Sequence, residues 1–329
     1  MFKTNNKVGR TLLTIGKKTV TDYRIPVLAV LLFVVMCLLK PRFGSAYNIY
    51  SIADSAANSG IAAIGFTFIL LVGQLDISFG SVISLTACIF MMMLKAEISF
   101  TLAVITALAV GCACGALTGF FISRFRLSPF IVSMTMQLVY KGIALTITHS
   151  TPVAMTPAHP ALKAIYSLKF FNMIPVTFVF FIVLALVAEF ILRKTQFGRN
   201  LFLVGGNINV SDNLGMKSST YVWSAYIIQG LFAAIAGIVM MTRTSSANGN
   251  IGAQSLLNVI PMVIVGGTSM AGGKGGCIKT IWGVVLLSMV YNAMTFFAIP
   301  APLQPFVKGL ILAVVVVSDK YMERRHEKV

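Results

Sequence analysis

The chain has 329 residues, of which 57% are hydrophobic and only 11% charged, and its formal net charge is +17. Soluble domains hold about a quarter charged residues, so this composition, with a mean hydropathy of +0.88, places the chain among membrane proteins. The positive charge is no footprint of nucleic acid. Its basic residues gather at the ends of apolar runs, as the positive-inside bias requires, and no soluble basic domain is left to hold a polyanion.

Residues 1–24 form a basic tail with Lys3, Lys7, Arg10, Lys17, Lys18 and Arg24. They lack a small-residue cleavage site, so the tail is expected to be retained in the cytoplasm rather than removed as a signal peptide. Apolar segments then follow at about Ile25–Leu39, Asp54–Val72, Ser78–Leu94, Phe100–Ile122, Pro129–Thr148, Pro175–Leu192, Ser219–Met241, Leu256–Val265, Cys277–Phe297 and Pro305–Val317. The expected fold is an all-α integral membrane protein. It is a polytopic bundle of about ten transmembrane helices (range 8–10) over residues 25–318, with a charged tail at 319–329 and both termini cytoplasmic. Most Lys and Arg fall in the segments this arrangement puts inside, and the longest inner loop is 193–218. Outside, Phe43–Ala53 and the proline-bearing His149–Ile174 read as connecting segments. The eighth segment is too short to cross alone, which suits a half-helix.

Gly111, Gly115 and Gly119 make a small-residue stripe that lets another helix approach closely. The five cysteines lie in or beside apolar segments without a paired spacing, and read as small apolar packers rather than as disulfides or metal ligands.

Two places break the apolar pattern. Ile64–Val72 gives way to Gly73-Gln74-Leu75-Asp76, and a new helical pattern starts at Ile77. A carboxylate at such a break is expensive in a membrane unless it faces protein or water; Asp76 is expected to fix the break through hydrogen bonds. The second break is the glycine-rich Gly266–Gly276, with Gly266, Gly267, Gly272 and Gly273.

The chain shows no motor of its own. Thr268–Gly275 (TSMAGGKG) fails as a phosphate loop, because Thr268 and Gly275 stand where Gly and Ser or Thr are needed. Among ionisable groups only Lys141 lies deep in a span, ~18 Å from its start at 1.5 Å per residue. That is thin material for an ion-coupled secondary transporter, the first alternative. No clustered catalytic set supports an integral-membrane enzyme, the second.

A motor outside the chain needs a handle. In Phe197–Met216 (FGRNLFLVGGNINVSDNLGM), Asn207 can cap a helix start. Val210 and Leu214 share a face at i and i+4, and Gly215 can end the helix in the left-handed conformation. The result would be a short exposed helix, with Ser211 and Asp212 on it, able to sit in a groove of a soluble partner.

Five stretches carry a resemblance: GFTFILLVGQLDISFGS, FIVSMTMQLVYKGIAL, FGRNLFLVGGN with its following LGM, VIVGGTSMAGGKGG and FVKGLILAVVVV. In this order, over roughly Asn58–Asp319, the chain resembles permease subunits of ATP-binding-cassette importers for ribose and other simple sugars. The resemblance implies a bacterial inner-membrane permease working as a homo- or heterodimer in lipid. A cytoplasmic ATPase that uses ATP and Mg would drive it, and an extracytoplasmic sugar-binding protein would feed it. No cofactor would be bound by this chain. The loop helix, Asn207 to Gly215, would contact the ATPase. The carried solute would be a neutral, ribose-like monosaccharide, with nucleosides and signalling sugars as alternatives. Uncharged hydrogen-bonding groups suit a sugar, so Asn58, Gln74, Gln137 and Asn292, with Asp76 and Lys141, are the candidate path residues. Lys163, Lys169 and Arg243 are the candidates for docking the binding protein. The chain departs from the family pattern at Gln74, where glycine is usual, at Leu256 and Asn258, where acidic residues are common, and at Ile208–Ser211.

Overall fold

The structure is a computed structural model that describes residues 24–170 and 173–327, with side chains as far as residue 317. Of the basic tail proposed for residues 1–24 only Arg24 falls within this range. Helix α1 (Arg24–Leu39) leads through a 3-10 turn at Pro41–Gly44 into α2 (Ala46–Leu71). Helix α2 starts eight residues before the predicted boundary at Asp54, so the segment Phe43–Ala53, expected to be a connection, is mostly helix. Its start is set by Ser45, whose hydroxyl accepts from the Asn48 amide at 3.3 Å, while the Asn48 side chain donates to the Phe43 carbonyl. These polar residues look like loop in a hydropathy pattern and act as caps in space.

Helices α3 (Phe79–Lys95), α4 (Phe100–Phe125) and α5 (Pro129–Ile147) follow. The stretch expected as an outer connection carries strand β1 (Val153–Ala154), helix α6 (Pro160–Ser167) and the hairpin strands β2 (Lys169–Phe170) and β3 (Ile174–Pro175). Next come α7 (Val176–Lys194), α8 (Gln196–Gly206), α9 (Ile208–Asn213) and α10 (Ser218–Thr244). Strand β4 (Ser246–Ala247) pairs antiparallel with β1. Helices α11 (Ser255–Gly266), α12 (Cys277–Phe296) and α13 (Gln304–Glu327) complete the chain. The last of these runs as far as Glu327, into the segment expected as a charged tail at 319–329.

Among the described residues, six helices (α2, α4, α5, α7, α10 and α12) are long and apolar enough to cross a membrane. Four shorter apolar helical segments, in α1, α3, α11 and α13, occupy the other predicted positions. Helices α2 and α10 form the centre. Helix α10 packs along α4, α2 and α3, and most of α2 is buried. The glycine stripe of α4 is used here, inside one subunit: a methyl group on Gly111 would stand 2.5 Å from the Gly230 carbonyl oxygen of α10. Outward-facing Val27, Leu31 and Leu38 on α1, and Val183, Val187 and Phe190 on α7, are exposed. Such branched and aromatic faces suit hydrocarbon as solvent.

Candidate functional site

Helices α2 and α10 run antiparallel, and the contacts between them can be followed from one end to the other. At the first end Arg243 donates to the Asp54 carboxylate at 3.2 Å, with Asp54 only 3% exposed. One turn along α2, Asn58 donates from its amide nitrogen to the Asp54 carbonyl. There the helices part around a cavity of about 260 Å³. Its polar wall is Asn58 and Ser59 from α2, Asn250 and Gln254 from the connection before α11, and Ser255 and Asn258 from α11; the apolar wall is Ile83, Ala236, Met240 and Ile251. None of these lining side chains is charged. The connection is pinned to α3 by Ser84, whose hydroxyl accepts from the Gly252 amide at 2.9 Å, and by the close approach of Gly80 to Gly252. A neutral wall dense in amides and hydroxyls can exchange hydrogen bonds with a small polyhydroxylated solute, and offers no counter-charge to an ion.

At the far end of α2, some 20 Å from Asn58 at 1.5 Å per residue, three glycine segments meet backbone to backbone. Gly73 follows α2, Gly205 and Gly206 end α8, and Gly272 and Gly273 lie in the loop between α11 and α12. The Gly273 amide donates to the Leu71 carbonyl at 2.9 Å. A methyl group on Gly205 would overlap the Leu71 carbonyl oxygen, and one on Gly272 would stand 2.5 Å from the Gly205 carbonyl. Gly73, Gly272 and Gly273 also take φ of +68°, +88° and +67°, a region that disfavours side chains. Both helix breaks are thereby joined to each other and to α8. Gly267, at φ +104°, ends α11; Gly266 stays helical, its lack of a side chain allowing the approach of Lys279 on α12.

Carboxylates hold both restarted helices. Asp76, 4% exposed, accepts from the Ser78 amide at 2.8 Å and the Ser78 hydroxyl at 2.6 Å, satisfying donors at the start of α3. Glu189 of α7 does the same for α12: one oxygen accepts from the Cys277 amide at 2.6 Å, the other from Arg193 at 2.9 Å. Arg193 in turn donates to the Gly275 carbonyl at 2.9 Å.

Immediately beyond the glycine junction stands α9. The Asn207 side-chain oxygen accepts from the Asn209 and Val210 amides, each at 3.1 Å, so the predicted cap is present. The helix ends at Asn213 rather than running to Gly215. Gly215, at φ +78°, and Met216 close it: the Gly215 amide donates to Asp212 and the Met216 amide to Ser211, a Schellman arrangement. Val210 is 52% and Leu214 73% exposed, an apolar pair presented to the surroundings. Ser211 departs from the expectation. It is buried, and its hydroxyl donates to the Asn207 carbonyl, so it cannot belong to the presented face. Asp212 is engaged by Arg126 at 3.4 Å.

Of the candidate path residues, Asn58 lines the cavity and the others do not. Gln74 and Asp76 sit in the first break, Gln137 and Lys141 are half-buried on α5, and Asn292 is on α12 with its side-chain oxygen buried and unpartnered. Sequence reasoning missed Asn250, Gln254 and Asn258. The signal for Asn250 and Gln254 was the polar run before α11, which reads as an ordinary connection until it folds back over Asn58, and Asn258 lies in the first turns of α11 itself. It also missed Glu189, whose acceptor role lies 88 residues from Cys277. Of the proposed docking residues, Lys163 and Lys169 are exposed. The Lys169 ammonium stands 4.6 Å from the centre of the Tyr50 ring, and Arg243 is held by Asp54.

The family model described as branched-chain amino acid transport system / permease component matches residues 48–316. The ribose import permease protein RbsC of Haemophilus influenzae is 29% identical over 294 residues, covering 89% of this chain and 91% of the relative. RbsC of Bacillus subtilis is 27% identical, with 88% and 90% covered. The autoinducer 2 import system permease protein LsrC of Photorhabdus luminescens is 26% identical, with 91% and 89% covered. No solved structure matches the chain. On a helical bundle with two glycine breaks, this family match over most of the length leads to one assignment: the chain belongs to the branched-chain amino acid transport system permease family and is, like the permeases it resembles, an ATP-binding-cassette transporter permease rather than an enzyme.

Proposed function

We propose that this permease carries a neutral monosaccharide, ribose-like in size and polarity, across a bacterial inner membrane. An extracytoplasmic binding protein delivers the sugar and a cytoplasmic ATPase drives its passage. The observation that carries this reading is the uncharged cavity of Asn58, Asn250, Gln254 and Asn258 between α2, α10 and α11. Its volume falls just under the ~300–1,000 Å³ of drug-sized ligand sites, as a single sugar ring requires. The names of the similar permeases, which specify ribose and autoinducer 2, support the same class of solute.

In this reading ten segments cross the membrane with both termini inside, so that α9 is cytoplasmic and the cavity lies toward the outer face. The ATPase seats on Val210 and Leu214. Movement of α9 passes through Gly206 and Gly205 to the two helix breaks, and so to the membrane ends of α2 and α11. The permease alternates between outward-open and inward-open states as a two-state body. Two copies, or this chain and a close relative, form the working pair. On the outer side Lys163 and Lys169 present positive charge to an acidic lobe of the binding protein, with Arg243 contributing the half of its side chain that remains exposed.

The test is uptake of labelled D-ribose into vesicles holding the permease with its ATPase and binding protein. The expected uptake requires ATP and survives a protonophore. Replacing Asn58 and Asn258 together by Leu keeps the number of side-chain heavy atoms and removes the hydrogen bonds; uptake then falls by at least tenfold, since a site built to hydrogen-bond its ligand discriminates strongly. Uptake that stops with the ion gradient while ATP remains would favour the ion-coupled alternative.

A further inference from the structure

Between the cavity and the glycine junction, the α2–α10 seam contains a buried amide that belongs to neither. Gln229 of α10 is 1% exposed, and neither its side-chain oxygen nor its nitrogen has a hydrogen-bond partner. It lies against Gly65 of α2: a methyl group there would stand 2.6 Å from the Gln229 side-chain oxygen. Gln229 and Gly65 are each seven residues from a cavity residue, Ala236 on α10 and Asn58 on α2. Seven residues are close to two helical turns, so both lie on the cavity's own side of their helices, ~10 Å further in. Around them Phe68, one turn further in on α2, and Phe232, one turn nearer the cavity on α10, stack with ring centres 6.5 Å apart. Then Tyr226 donates to the Leu75 carbonyl in the first helix break, at 3.0 Å. From the ion pair and the cavity the seam therefore runs to a level that holds both the unpaired amide and the aromatic stack, and then to the first helix break.

A buried amide without partners destabilises the state that buries it, because its hydrogen bonds to water are lost and not replaced. An apolar residue of the same length would fill the space better. Such a group is accounted for if another state of the protein gives it partners. We propose that Gln229 is an inner hydrogen-bonding station of the solute path, dry in the state described here and exposed when the α2–α10 seam opens below the cavity. The amide then exchanges hydrogen bonds with the hydroxyls of a sugar leaving the cavity, and the Phe68–Phe232 stack is the barrier that closes beside it. This rests on the sugar-importer reading and adds to it the route the solute takes.

Gln229→Leu tests the idea against a purely structural role. The path predicts that the purified variant permease melts at the same temperature as the parent or higher, while ATP-driven uptake of D-ribose falls at least tenfold in kcat. Uptake within twofold of the parent would overturn the proposal. A second measurement does not depend on the solute or on Gln229→Leu folding. In a cysteine-free background, Gln229→Cys is treated with a membrane-impermeant thiosulfonate reagent, with Leu70→Cys, a fully buried position on α2, as control. Labelling at 229 during ATP turnover, with none at rest and none at 70, supports the path. No labelling at 229 in any state overturns it. Should the parent take up no D-ribose while 229 still labels during turnover, the sugar assignment fails and the route stands.

Discussion

Asp76 acts at the restart of α3 as a buried hydrogen-bond acceptor. Both hydrogen bonds from Ser78 converge on one of its oxygens, and together they fix the backbone where α3 restarts after the break. Hydrogen bonds to a charged acceptor contribute ~1.5–3 kcal/mol, so Asp76→Ala is expected to lower the permease's stability by about that amount. Asp76→Asn retains a carbonyl acceptor at the same place and is expected to lose less than half as much. Thermal melting of the purified variants checks this. Equal losses for the two would mean that the charge itself, and not the acceptor, holds the break. Arg243 carries a related lesson. As a sequence feature it is a free outer cation, whereas in space its head is held by a buried Asp54 one turn from the cavity. Any effect of replacing it on delivery of solute would be mixed with the cost of leaving that carboxylate unpaired.

At the scale of elements, the glycine junction is the least substitutable part of the fold. Gly205 meets the Leu71 carbonyl so closely that Gly205→Ala must push α8 away from α2. Overpacking of this kind costs ~1–3 kcal/mol. Because the displaced element leads directly into α9, ATP hydrolysis is expected to continue in the assembled transporter while uptake per ATP falls several-fold. Paired measurement of phosphate release and uptake checks it; an unchanged ratio would show that the junction is only packing. Sequence reasoning foresaw much of this layer. Apolar runs located the segments because a membrane forces backbone bonds to be made within each helix, and Asn207 and Gly215 announced their cap and turn because those roles are local. Long-range pairings left no such trace. The helical start of α2 was hidden by polar caps, Glu189 by its distance from the helix it serves, and the cavity's asparagines by a connection whose fold-back no periodicity records. The glycines of both breaks were visible, but not that they touch each other and Gly205.

For the whole molecule, the cavity and α9 sit at opposite ends of one central pair of helices, with the glycine junction next to α9. Such an arrangement suits a subunit moved from outside itself, and its membrane spans contribute the path rather than the energy. Val210 and Leu214 are exposed in this structure, so changing both to Asp is expected to leave the fold intact and spoil only what docks there. The decisive measurement is purification of the permease from native membranes in mild detergent, with ATPase activity and mass spectrometry of whatever accompanies it, for the parent and for the Val210→Asp, Leu214→Asp variant. An ATP-binding-cassette ATPase is expected with the parent, and is expected to be lost from a variant that still melts like the parent. A permease that purifies alone and transports in liposomes on an ion gradient would contradict this.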